Sequence, residues 1–227
     1  MCHSKMNRII SILLLIAPIH CIAQNYCKCG KYPDIPTDSI PDTIVNIANN
    51  KSFAICGSFD YDLGEKLISE FTVTLCGEQN ALKFYDALKN YRIEVKEGAM
   101  VLTDLRMLPM GESHSFIAIP WASDYYYVIQ NNKSLRDSCI ISRNVNYGLK
   151  QLIKIDTAFM DSLWTSNLKM KYLLNEELIG LVFLAAISDQ KAYLHRFLFF
   201  TDTFSIDGEY AEYYNELRIM FEEWIQN

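Results

Sequence analysis

Histidine is scarce in this 227-residue chain: there are four, and only His114 and His195 lie beyond the first 23 residues. Two imidazoles are thin material for general acid–base chemistry, which leaves a histidine-based enzyme few ways to be assembled. An excess of positive charge is also missing. Lys+Arg number 21 against 27 Asp+Glu, a net charge of −6, which argues against a nucleic-acid binder relying on a basic face. Proline is sparse, six in all, and none follows Pro120. There is no P-loop, dinucleotide fingerprint, haem motif or H-E-x-x-H zinc motif, and no internal repeat. No cofactor and no metal site are expected. Past the N-terminal segment, no apolar run reaches the roughly 20 residues a spanning helix needs. The longest, 178–187, is bounded by Glu177 and Asp189 and reads as a buried core helix.

What is present is a globular composition, 50% hydrophobic and 21% charged. Ahead of it stands the pattern of an export leader. Lys5 and Arg8 form a basic start, residues 9–19 an apolar run, and Cys21-Ile22-Ala23 a cleavage region. Cleavage is expected between Ala23 and Gln24, with Met1 or Met6 as the start. A lipid anchor on Cys21 is disfavoured because His20 occupies a position that wants a small residue. Losing Lys5 and Arg8 makes the remainder more acidic still. The destination expected is periplasmic or secreted, with no transmembrane segment in the mature chain.

Of the seven cysteines, Cys27, Cys29, Cys56, Cys76 and Cys139 lie beyond the leader. In an oxidising compartment disulfides are expected, and an odd count leaves one thiol unpaired or intermolecular. Cys56 and Cys76 each sit in a strand-like run, so a Cys56–Cys76 bridge between adjacent antiparallel strands is expected. Cys27-Lys28-Cys29 lacks the second pair or nearby histidine of a zinc site.

Residues 24–50, with Pro33, Pro36 and Pro41 among polar residues, read as an extended tether. Residues 51–227 read as a single α+β domain. Strand-like runs fall at 52–59, 67–76, 91–96, 99–105, 115–119, 125–130 and 138–142, with a turn at Lys96-Glu97-Gly98. A short helix capped by Asn80 is expected over 80–88. After about residue 146 the apolar spacing turns helical, with Asp156, Asn175 and Asp207 as caps. The last helix is the clearest, its apolar residues running from Tyr210 to Trp224 at i, i+3, i+4, i+7 spacing. Strands followed by helices predict an antiparallel sheet, about 51–143, packed by C-terminal helices, about 146–226.

Three patterns could carry function. Gly111-Glu112-Ser113-His114-Ser115 matches the G-x-S-x-G nucleophile elbow except at its last position; Ser113 with His195 as base and Asp189 as orienter would make a hydrolase. The elbow needs a strand before it and a helix after it, whereas 116–119 reads as strand. Trp121, Tyr125 and Tyr127 could form a stacking platform for a glycan. Glu212 and Glu216 lie in an acidic stripe of the last helix, where mutual repulsion would be relieved by a cationic partner. Asp60-Tyr61-Asp62 opens like a calcium loop, but Phe71 stands where the bidentate Glu belongs. The expectation is an exported cell-envelope protein that acts by binding, with a protein partner favoured in an inhibitor or immunity-type role. The extracytoplasmic hydrolase and the glycan binder are the alternatives.

Overall fold

The computed structural model describes residues 27–32, 39–62, 65–87, 89–129, 138–170, 176–188 and 190–226. The expected leader, its cleavage site and Asp189 lie outside them. Eight strands form an antiparallel sheet: β1 (Thr43–Asn46), β2 (Ser52–Asp62), β3 (Glu65–Leu75), β4 (Lys83–Tyr85), β5 (Asn90–Lys96), β6 (Ala99–Leu108), β7 (Ile117–Ile129) and β8 (Ser138–Val145). The order is β1-β2-β3-β5-β6-β7-β8, with β4 paired to β3. Helices follow: α1 (Leu149–Leu152), α2 (Thr157–Met170), α3 (Glu176–Ile187), α4 (Lys191–Leu198), α5 (Phe200–Thr203) and α6 (Gly208–Ile225). The chain is α+β. It divides into two compact units, one holding the residues up to 89 with 93–100 and 126–140, the other 90–92, 101–125 and 141–227.

In the first unit, long β2 and β3 pair from Phe53 opposite Leu75 to Asp62 opposite Glu65. Phe53, Ile55, Ile68, Phe71 and Val73 are buried. β1, inside the stretch expected to be a tether, pairs with β2 through Thr43–Ile55 and its neighbours. The short helix expected over 80–88 is instead β4, which sets Tyr85 opposite Phe71. The Tyr85 ring stacks on Phe71 at 4.6 Å and its hydroxyl meets that of Tyr126 at 2.6 Å. This pairing and aromatic burial outweigh the weak local helix preference.

The Cys56–Cys76 bridge does not form. The register sets Cys56 opposite Thr72, four positions from Cys76. At about 3.4 Å per residue that is roughly 13 Å, well beyond the roughly 7 Å limit between bridged Cα atoms. Cys27 pairs with Cys76 and Cys29 with Cys56, at Cα separations of 4.4 and 5.9 Å. Beside these bridges, the Gly30 N–H donates to Thr74 Oγ1 at 2.9 Å and the Lys31 N–H to the Gln79 carbonyl at 2.8 Å. Two disulfides of this kind belong to a chain that meets an oxidising compartment. Among the described residues Cys139 is the free cysteine, half-buried, with its thiol pushed up to about 11 by burial.

In the second unit α3 is buried along 178–187, as its unbroken apolar run requires. Trp121 of β7 packs on Phe183 of α3 and Trp224 of α6, at centroid distances of 5.8 and 5.6 Å. β7 continues through Pro120, where a strand end was expected; the Pro120 carbonyl still accepts from Asn146 Nδ2 at 3.0 Å. Asp156 caps α2, accepting the Phe159 N–H at 2.9 Å. Asp207 occupies the N-cap position of α6 without a side-chain cap bond. No helix among the described residues is long and apolar enough to cross a membrane.

Candidate binding cavity

The residues singled out by sequence part company in the structure. Trp121 is completely buried, so it offers no stacking face, and its Nε1 donates to Glu223 Oε2 at 2.9 Å. Tyr125 is half-buried and Tyr127 exposed. The glycan platform therefore loses its tryptophan. Glu212 is exposed, but Glu216 is engaged inside the molecule, paired with Arg106 Nη1. The cation that the acidic stripe calls for belongs to this same chain.

That pair is one edge of a network joining the sheet to α6. Asp104 and Asp124 are fully buried, and Arg106 is 6% exposed. Arg106 Nε lies 2.7 Å from Asp104 Oδ1. Arg143 reaches Asp104 at 2.9 Å, and Asp124 and Glu223 each at 3.1 Å. Burial opposes the charge on Arg143, yet hydrogen bonds to Asp104 and Glu223, with the charge of Asp124, raise its pKa above the ordinary value. Burial, with the Asp104 charge, also raises Tyr91. The charges are answered within the network, which anchors α6. Among the described residues no three His, Cys, Asp or Glu side chains are grouped to hold a metal ion.

Ser113 goes elsewhere. The chain leaves β6 through Pro109 and closes a tight turn, with the Gly111 N–H donating to the Ser115 carbonyl at 2.9 Å and the His114 N–H to that of Gly111 at 3.2 Å. A Cβ at Gly111 would stand 2.2 Å from Ser115 Oγ, so only glycine closes this turn without displacement. Ser113 and His114 both take left-handed backbone conformations, φ +52° and +62°. For L-residues this costs about 1–2 kcal/mol each. Pro109 in turn packs on Gly180 of α3, where a side chain would meet its ring at 2.7 Å.

This turn walls a cavity of about 790 Å³, lined by 109–114, by 152–158 and by Leu184. The volume is that of a ligand pocket. Its first wall brings Glu112, Ser113 and His114, and its second runs from the end of α1 to the start of α2. The His114 ring stacks on Phe159 at 4.4 Å, and Nδ1 lies 3.3 Å from Glu177 Oε1. His195 is not in the wall; it is exposed on α4, stacked on Phe199 at 4.4 Å. The Ser113 and His195 pairing is corrected accordingly: the imidazole beside Ser113 is that of its neighbour, His114. The surroundings are mixed, with Pro109, Ile153, Ile155 and Leu184 apolar and Glu112, Lys154 and Asp156 charged. Such a wall suits recognition of a ligand with both apolar and polar parts.

The 111–115 turn is legible in the sequence, whereas the opposite wall, 152–158, carries no functional motif. The His114–Glu177 proximity joins residues far apart in the chain and leaves no local signal. No protein-family model matches the chain, no curated protein matches it, and no solved structure matches its fold.

Proposed function

We propose that the protein is exported through its N-terminal leader, and acts in the periplasm or outside the cell as a binding protein whose site is the cavity beside the 109–114 turn. A protein ligand is favoured. The observation that carries this reading is the cavity wall itself, with two consecutive left-handed residues held at its rim. Strain of that kind persists where the surroundings enforce it, and it clusters at functional sites. An oxidising destination agrees with the two disulfides.

Ala158→Trp tests it, because Ala158 is an exposed residue of the wall and an indole there would obstruct part of the cavity. Recovery of a ligand from the exported fraction should be specific to the wild type, with both proteins equally folded by circular dichroism. Equal recovery by both would overturn the assignment of the site.

One observation favours a second reading, a hydrolase with Ser113 as nucleophile: His114, with Glu177 close to its Nδ1, shares the cavity wall with that serine. A serine needs an adjacent base to react at neutral pH. A fluorophosphonate that labels Ser113 in the folded protein would establish this reading; for the binding protein no labelling is expected.

A further inference from the structure

The second wall of the cavity holds backbone that the fold leaves unused. Between α1 and α2 the chain opens with an extended residue, Ile153, at φ −70°, ψ 118°. Ile153 and Ile155 are half-buried against the core, while Lys154 and Asp156 are exposed, the two-residue alternation of a strand. Among the described residues no hydrogen bond engages the main-chain N–H or C=O of Lys154 or Ile155. Four such residues span roughly 13 Å at about 3.3 Å each. A segment with the alternation of a strand, whose two middle residues make no main-chain bond, on the wall of an open cavity is the arrangement that strand addition requires.

We propose that 153–156 receives an extended peptide segment of the protein partner as an added strand. Main-chain hydrogen bonds to the N–H and C=O of Lys154, which share one edge of the segment, hold it, and an apolar side chain enters toward Ile153, Ile155 and Leu184. This rests on the reading of the cavity as a binding site and names the class of its ligand. A small organic molecule can bond one such main-chain group but cannot extend a ladder of bonds along the segment. A peptide strand uses them whatever its sequence, and takes its specificity from alternate side chains.

The probe is a synthetic library of seven-residue peptides with alternating apolar and polar positions, read by fluorescence anisotropy against the full chain. The best binder is then remade with single backbone N-methyl groups, which remove one N–H each. Lys154→Pro removes the protein's own N–H where it makes no bond, and the dihedrals of Ile153 already suit a residue before proline. Lys154→Ala keeps the N–H. The expected result is a binder weakened at least tenfold by N-methylation at alternate positions and by Lys154→Pro, with Lys154→Ala near wild type and Ala158→Trp abolishing binding. A binder indifferent to N-methylation overturns strand addition even if Lys154→Pro fails to fold. If no peptide binds while small-molecule fragments occupy the cavity, the peptide proposal fails and the binding-site reading stands. If neither binds there, both fail.

Discussion

Removing Arg143 should damage this protein more than any other single surface-reaching substitution, and the size of the effect follows from what it leaves behind. Arg143→Ala takes a cationic partner from Asp104 and from Asp124, each with 0% side-chain exposure, and one of the bonds from Glu223. Breaking a buried pair by removing one partner typically costs about 3–5 kcal/mol, because a charge is left uncompensated in a poorly solvating interior. Arg143 is itself 27% exposed, so water can reach part of the gap, and the lower end is appropriate. Arg106 continues to answer Asp104, which limits the loss further. We expect about 3 kcal/mol. In urea, at a slope of about 2 kcal/mol per molar, the midpoint should fall by about 1.5 M. Arg143→Lys keeps the charge but loses the fork that reaches three carboxylates, and should fall between alanine and wild type. A loss below about 1 kcal/mol for the alanine variant would mean that the network does not anchor α6, and the account of the second unit would be wrong.

The acidic stripe should divide. Glu212→Gln should alter stability by less than about 0.5 kcal/mol, whereas Glu216→Gln removes one of the two carboxylate partners of nearly buried Arg106 and should cost about 1–3 kcal/mol by the same urea assay. Non-reducing peptide mapping should give Cys27–Cys76 and Cys29–Cys56, and Cys29→Ser with Cys56→Ser should cost about 2–4 kcal/mol; a mapped Cys56–Cys76 peptide would refute the observed register. Cys139 should alkylate slowly at pH 8, with a rate that climbs with pH towards a midpoint near 11, since burial disfavours its thiolate; a midpoint near that of a free thiol would contradict its placement. Ser113→Gly should stabilise the protein by about 0.5–1 kcal/mol, because glycine adopts the left-handed conformation without strain; a destabilised variant would show that this backbone is not strained.

The strands-then-helices order was legible because each element carries its own period. The Glu97-Gly98 turn, the cap at Asp156 and the apolar face of α6 are local signals, and each stands in the structure where it was expected. The failures share one cause: the information lay in partners distant in sequence. The stripe of Ala81, Leu82, Phe84 and Tyr85 fits a helix locally, and only pairing with β3 makes it a strand. Cys56 and Cys76 both sit in strand-like runs, but their register was set by pairs such as Phe53–Leu75 that no single run contains. Trp121 sits in an aromatic run with Tyr125 and Tyr127 in sequence, yet α3 and α6 enclose it. Glu216 is acidic on a helix surface until Arg106, more than a hundred residues earlier, is brought against it. Of the cavity, the sequence disclosed the Ser113 turn through its glycine and polar run, and of the 152–158 wall only the cap at Asp156.

The site itself is tested most directly by a fragment library screened against isotopically labelled protein, with binding mapped through its 1H–15N amide resonances. The resonances shifted by bound fragments should cluster at 110–114 and 152–158, and Ala158→Trp should remove those shifts while leaving the rest of the spectrum in place. Shifts concentrated elsewhere, or a cavity that takes no fragment at all, would contradict the assignment of the site.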